Sequence, residues 1–191
     1  MRTDLKHLTY DAYLALPEMK QRYSIIDGEL VMAAAPNPSH QTIVQELLLK
    51  LEPFVREHRL GRVFVAPLDI VMRREPLRTR QPDLMFIGRE QRSIIGPQVI
   101  EGGPDLVIEV LSPTNTQQEL QDKLRDYQTI SVREAWVVSP EARTVEVLQL
   151  TPEHIQRLGL YGLGDLIASH VLPDLRLTVD EIFPDFDFER S

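Results

Sequence analysis

Apolar residues recur three and four positions apart after Asn37-Pro38-Ser39, and this spacing predicts an amphipathic helix. Residues at these separations share one face of an α-helix. The predicted apolar face comprises Ile43, Val44, Leu47, Leu48, Leu51, Phe54 and Val55. Pro38 suits the first helical turn and Gly61 suits a position just beyond the end. We therefore expect a long helix with one face against the core.

Short apolar runs bounded by turn residues predict strands elsewhere in the chain. Arg22 to Asp27 and Glu29 to Ala34 meet at Asp27-Gly28, a dipeptide typical of a β-hairpin. Further strands are predicted over residues 63–66, 68–72, 84–87, 106–111, 134–139 and 143–150. Beyond residue 150 we expect short strands and turns, followed by a polar, acidic tail.

Two further helices complete the pattern. Residues 9–16 predict a short helix before Pro17, and the capping box Thr116-x-x-Glu119 predicts another through about Ile130. These elements predict an α/β (α+β) fold with a central mixed β-sheet, two principal helices flanking it and an N-terminal β-hairpin. A length of 191 residues with 42% hydrophobic content suits a single domain over residues 1–191.

Composition limits the classes of function. A net charge of −8 disfavours a protein that coats nucleic acid, although it leaves a nuclease possible. The absence of cysteine excludes disulfides and thiolate metal sites, so carboxylate and imidazole are the available ligands. Residues 1–8 lack an apolar signal core, and no run has membrane-spanning length. We expect a cytoplasmic protein with no membrane partner.

A carboxylate, Glu109, lies inside the apolar run Asp105-Leu-Val-Ile-Glu-Val-Leu111. An ionised carboxylate is costly to bury, so it is normally protonated, paired or bound to a metal. Asp83 opens the preceding apolar run, and Lys123 lies on the helix that follows. These two residues are therefore the candidate partners of Glu109.

Helical geometry indicates which charges of residues 116–130 face the sheet. At about 100° per residue, Lys123 falls within or at the edge of the apolar stripe. That stripe contains Leu120, Leu124 and Tyr127, whereas Asp122, Arg125 and Asp126 are predicted to point elsewhere. Lys123 is therefore expected to turn toward Glu109.

Two interpretations of these residues remain open. Glu109 and Lys123 can form a structural ion pair, with Asp83 only capping a strand. Alternatively, Asp83 and Glu109 can hold a hard divalent cation such as Mg²⁺, which prefers oxygen ligands. A lysine beside that cation would stabilise a phosphate or orient the attacking water.

A basic segment precedes Asp83. Arg73, Arg74, Arg78 and Arg80 against Glu75 give a local charge of +3. A solvated loop is the plain interpretation, and phosphate contact by Arg78 and Arg80 is the functional one.

Several short motifs occur together in a specific order. They are Asp27-Gly-Glu-Leu30, Ala35-Pro-x-Pro-Ser-His40, Gln81-Pro-Asp83, Pro104-Asp-Leu-Val-Ile-Glu-Val-Leu-Ser-Pro113, Asp122-Lys-Leu-x-x-Tyr127 and Glu134-Ala-Trp-Val-Val138. In this order they resemble the PD-(D/E)XK nuclease superfamily, and more closely its Uma-two family of restriction-endonuclease-like proteins. The resemblance covers roughly residues 10–180.

The resemblance implies hydrolysis of phosphodiester bonds with Mg²⁺ or Mn²⁺ as the cofactor. Asp83 and Glu109 match the two acidic metal ligands of the superfamily. Leu111 stands two residues after Glu109, where the superfamily pattern has lysine, so Lys123 would supply the amine from its helix. Asp105 forms a competing Pro-Asp pair, but it lies about 13 Å from Glu109 along one strand, too far to share a metal.

Two further residues match family positions. Glu29 can bind a water held by the metal, or it can be an exposed hairpin acid. His40, at the start of the long helix, can contact phosphate or orient a ligand, or it can be a helix-terminal histidine with satisfied hydrogen bonds.

The leading hypothesis is a metal-dependent endonuclease acting on DNA. One alternative is a binding or assembly module that keeps the nuclease fold without activity, which the acidic charge and Leu111 favour. Another is hydrolysis of a small phosphate ester. By analogy with restriction-type nucleases that pair two sites, we expect a homodimer.

Overall fold

The computed structural model describes residues 7–17, 19, 21–33 and 35–183. Its helices and strands are α1 (Tyr10–Leu14), β1 (Tyr23–Ile26), β2 (Glu29–Met32), α2 (Pro38–Glu57), β3 (Gly61–Val65), β4 (Ile70–Arg74), β5 (Leu77–Arg80), β6 (Leu84–Gly88), β7 (Leu106–Val110), α3 (Gln117–Thr129), β8 (Glu134–Ser139), β9 (Thr144–Leu150) and β10 (Ile155–Tyr161). Short 3₁₀ helices occupy Arg89–Ile94 and Val179–Ile182. The predicted acidic tail lies outside the described residues, and a single domain over residues 1–191 stays a prediction.

Six strands form the central sheet in the order β10-β9-β8-β7-β6-β3. β7 and β8 run parallel, and the other neighbouring pairs run antiparallel. A parallel pair needs a crossover connection, which α3 supplies. Its N-terminus has the predicted capping box between Thr116 and Glu119. The predicted mixed sheet with two principal helices is confirmed.

The two long helices pack against opposite faces of this sheet. Alternation along β7 directs Leu106, Ile108 and Val110 into the apolar cluster that includes the α2 face. Val107 joins the second cluster, which includes Leu124 and Tyr127 of α3. Glu109 has the same parity as Val107, so it faces α3.

Two β-hairpins lie beside the sheet, and only one of them was predicted from the sequence. The predicted hairpin is β1-β2, whereas β4-β5 replaces the solvated loop expected over residues 73–80. Leu77, Thr79 and Arg80 are buried in β5. The Ile25 amide donates to the Thr79 hydroxyl at 3.1 Å, which joins the two hairpins. The arginines in this segment suggested exposure to solvent, so the buried side of β5 was not predicted from the sequence.

Gly61 permits the close approach of β3 to β6, because a Cβ there would lie 2.0 Å from the Ile87 carbonyl oxygen. We expect Gly61→Ala to lower the free energy of unfolding by about 1–3 kcal/mol, the range for overpacking. Gly162→Ala is the matched control, since its Cβ would meet Asp165 at an ordinary 3.9 Å. Urea unfolding gives the free energy of unfolding of the wild type and of both variants. A Gly61→Ala variant as stable as Gly162→Ala would contradict this packing constraint.

Candidate active site

Two buried carboxylates lie at the end of the sheet where β6 begins and β7 ends. Asp83 and Glu109 are each 3% exposed. The antiparallel register pairs Leu84 with Ile108, so Asp83 and Glu109 occupy the next positions outward. The Val110 amide donates to Asp83 Oδ2 at 2.7 Å, which fixes Asp83 against β7. The sheet thus brings together the two acids that the sequence nominated as metal ligands.

Asp83 is held by two side chains from distant parts of the chain. Arg22, directly before β1, donates from Nη1 to Asp83 Oδ1 at 2.6 Å and from Nη2 to the Gln81 carbonyl at 2.6 Å. His40, in the first turn of α2, places Nε2 at 3.3 Å from Asp83 Oδ2. The Asn37 side chain caps α2 by accepting from the His40 amide at 2.8 Å, which orients this turn.

The surroundings of Asp83 keep it ionised. Burial by itself would raise the pKa of Asp83, but the hydrogen bond with His40 and the charge of Arg22 lower it to about 2. A carboxylate that remains charged despite burial needs compensating partners of this kind. Asp83 is therefore an anion at neutral pH.

Glu109 is held from the other side, by α3. Lys123 Nζ donates to Glu109 Oε2 at 2.6 Å, and the Tyr127 hydroxyl donates to Oε1. Burial, together with the negative charge of Glu109, raises the pKa of Tyr127 well above its usual value. The expected contact between Lys123 and Glu109 is present, and Tyr127 remains a neutral donor.

A second charged cluster flanks the site. Asp126, predicted to point elsewhere than the sheet-facing stripe of α3, is only 8% exposed because it faces the β4-β5 hairpin. Arg78 Nε donates to Asp126 Oδ1 at 2.7 Å, and Arg80 Nε donates to Oδ2 at 2.6 Å. The β4-β5 hairpin packs beside α3 and supplies these arginines, which helical geometry alone could not anticipate.

Two other acidic residues that the sequence suggested as candidates, Glu29 and Asp105, lie apart from Asp83 and Glu109. Glu29 is exposed at the start of β2, and within the described part of the chain its side chain forms no hydrogen bond or ion pair with Asp83 or Glu109. Asp105, the competing acid, lies at the opposite end of β7, where it accepts from the Gly88 amide at 2.7 Å and from Arg133 at 2.9 Å. The roles of Glu29, His40 and Lys123 stay predictions.

Sequence reasoning missed Arg22 and the hydrogen-bonding role of Tyr127. Tyr127 had a usable signal, because it shares the inward stripe with Lys123 one turn away. Arg22 had none, because it precedes Asp83 by 61 positions and only the packing of the β1-β2 hairpin brings them together.

The donor types of this site suit a hard cation, since Mg²⁺ prefers carboxylate oxygens. All four oxygens of Asp83 and Glu109 already have a hydrogen-bonding group of the protein within reach. A cation here would therefore compete with Arg22 and Lys123. Within the described ranges, no group of three or more His, Cys, Asp or Glu side chains is arranged to hold a metal ion.

Two buried nitrogens beside Asp83 lack a hydrogen-bond partner within the described part of the chain. They are Arg22 Nε and His40 Nδ1. Buried polar atoms nearly always have a partner, and water can serve both nitrogens because it donates and accepts. The polar surroundings of Asp83 therefore suit a bound water or a ligand oxygen.

Comparison with known proteins places this chain in a family. The family profile described as "Uma2: Putative restriction endonuclease" matches residues 10–180, so the chain belongs to this, the Uma-two, family. A crystal structure described as a "putative nuclease belonging to DUF820" from Anabaena variabilis has a similar fold, with a TM-score of 0.75 and 20% identity. The similarity covers 92% of this chain and 97% of that one. No curated protein matches the chain. In the described residues, no helix is both long and apolar enough to span a membrane.

The lowered pKa of Asp83 makes stability depend on acid pH. A carboxylate whose pKa falls on folding stabilises the protein above its unfolded pKa, and this contribution is lost as the pH falls through the folded value. As the pH falls from about 4 to about 2, the free energy of unfolding of the wild type should therefore drop by about 2 kcal/mol more than that of Asp83→Asn. Urea unfolding across this range tests the expectation. A stability difference that does not change with pH would contradict it.

Proposed function

We propose that this protein is a Mg²⁺-dependent endonuclease that hydrolyses phosphodiester bonds in DNA, with Mn²⁺ as an alternative cofactor. The observation that carries the proposal is the meeting of Asp83 and Glu109 at one end of the sheet, with Lys123 bound to Glu109 at 2.6 Å. Membership of a family described as restriction endonuclease supports the same chemistry.

Under this proposal, the residues around the two carboxylates would have distinct roles. Asp83 and Glu109 would hold the metal, which supplies Lewis acidity and a water of lowered pKa when bound. Arg22 and Lys123 would exchange their carboxylate contacts for contacts with the phosphate, whose charge they can stabilise. His40 and the Val110 amide would keep Asp83 in position, since they contact Oδ2 while Arg22 contacts Oδ1.

Nicking of supercoiled plasmid in Mg²⁺ or Mn²⁺ tests the site. We expect Asp83→Asn and Glu109→Gln to lose at least about 100-fold in rate, because each removes a charge that would hold the metal. Lys123→Met should also lose activity, through the loss of its positive charge.

Asp105→Asn is the matched control. Asp105 is a buried, ion-paired carboxylate that directly precedes β7, but it lies at the opposite end of that strand. This variant should retain nicking. Equal rates in wild type and in all of these variants would reject the site assignment, once circular dichroism has shown that each variant is folded.

A binding or assembly module without activity is the second candidate. The observation in its favour is that protein donors already contact all four carboxylate oxygens. In addition, Leu111 stands where the superfamily pattern has lysine. It is apolar and packs against the apolar cluster between the sheet and α3. Calorimetric titration separates the candidates, because a module should show no Mn²⁺ binding at millimolar concentration whereas the enzyme should lose its binding in Asp83→Asn.

The homodimer and the cytoplasmic location belong to the same proposal. The homodimer rests on analogy with restriction-type nucleases, and the cytoplasmic location rests on the absence of cysteine and of an apolar signal core in the sequence. Light scattering of the purified protein tests the dimer. A mass close to 22.0 kDa would contradict it.

A further inference from the structure

The arginines that precede Asp83 are already matched by carboxylates. Arg73 pairs with Asp27, Arg74 with Glu101 at 2.6 Å, and both Arg78 and Arg80 with Asp126. This segment therefore carries much less net charge than its sequence suggests, and it has little to offer a phosphate unless these pairs open.

A different set of arginines is uncompensated. A cleft of about 420 Å³ at the C-terminal end of α2 is lined by arginines from three elements, together with Glu52, Val55, Gly61 and Val63. The arginines are Arg56, Arg59, Arg62 and Arg89. Glu52 pairs with Arg56 at 2.6 Å. In the described part of the chain, the other three have no carboxylate partner, and all three are exposed.

Backbone geometry assembles this arginine cleft. Arg59 adopts a left-handed φ of 53°, which ends α2 and turns the chain into β3. The Arg89 amide donates to the Leu60 carbonyl at 2.9 Å, which ties the start of the 3₁₀ helix to this turn. Gly61 pairs with Gly88 where a side chain would clash, so the strands approach closely between Arg62 and Arg89.

The helix terminus does not by itself account for three arginines. The C-terminus of a helix favours basic residues, but its dipole amounts to only about half of one negative charge. Three guanidinium groups around one cleft give it a local excess of positive charge, which an anion would offset. Arginine forks match phosphate oxygens in geometry as well as in charge.

The position of the cleft relates it to the candidate active site. Asp83 and Arg89 lie at opposite ends of β6, six residues apart, which corresponds to about 20 Å in an extended strand. This distance matches about six base pairs of B-DNA at about 3.4 Å each. A duplex of about six base pairs is therefore long enough to span the distance from Asp83 to Arg89.

We propose that Arg59, Arg62 and Arg89 bind the phosphate backbone of a nucleic acid and anchor it at a distance from the cleavage site. The proposal rests on the nuclease function proposed above for Asp83 and Glu109. Binding through phosphates carries no base specificity, so the cleft supplies affinity and orientation.

Fluorescence polarisation of a labelled DNA duplex in EDTA measures this binding without cleavage. The test variant is Arg59→Gln/Arg62→Gln/Arg89→Gln. The plot of log Kobs against log salt concentration has a negative slope, to which each phosphate contact contributes about 0.9 in magnitude. We expect the triple substitution to make this slope shallower by about 2 to 3. Its affinity should fall at least about tenfold at low salt.

The control variant, Arg74→Gln/Arg125→Gln/Arg157→Gln, removes the same charge from exposed arginines that are paired with Glu101, Asp122 and Glu146. It should keep most of the slope. Equal losses in the two triple variants would overturn the cleft assignment and attribute binding to overall charge.

The outcomes also separate this inference from the nuclease proposal. A wild type that nicks plasmid and binds the duplex as its arginine variant does would overturn the cleft alone. A wild type that binds the duplex through the cleft but never nicks it would overturn the nuclease proposal alone. Binding to an acidic peptide with no binding to the duplex would overturn the cleft as a nucleic-acid surface.

Discussion

The cost of burying ionised carboxylates is the constraint on which this structure depends. Asp83 and Glu109 lie at one end of the central sheet, where an unpaired negative charge would be costly. Arg22 pairs with Asp83, His40 contacts the second oxygen of Asp83, and Lys123 pairs with Glu109. These contacts join the segment before β1, the start of α2 and the middle of α3 to the same sheet edge. The polar site therefore also positions the elements around it, and breaking one pair would leave a buried charge unpaired.

The same ion pairs define what the site can do. Arg22 and Lys123 contact two of the carboxylate oxygens that a metal at this site would use, so their positive charges would oppose a cation there. A site of this kind is balanced in the absence of ligands, because each negative charge has a positive partner. On the proposed function, a cation at these carboxylates would make two positive side chains available for a phosphate. The proposed mechanism would thus link cofactor binding to substrate binding through charge.

Charge is distributed in a way that composition conceals. The chain has a net charge of −8, yet three exposed arginines remain uncompensated around one cleft of the described structure. Meanwhile the densest arginine segment of the sequence is neutralised by Asp27, Glu101 and Asp126. Which basic residues can meet a phosphate thus depends on which carboxylates fold beside them. Neither local density nor net charge decides it.

The sequence by itself determined the long helix, the first hairpin, most strands of the sheet and the pairing of Glu109 with Lys123, because these follow from periodicity and capping over short separations. It did not determine β5, where the arginines suggested a solvated loop, or the contact of Asp126 with Arg78 and Arg80 of the β4-β5 hairpin. It also could not reveal Arg22 beside Asp83 or the cleft between Arg59 and Arg89. Those contacts join residues far apart in the chain, and only the packing of hairpins and helices against the sheet brings them within reach.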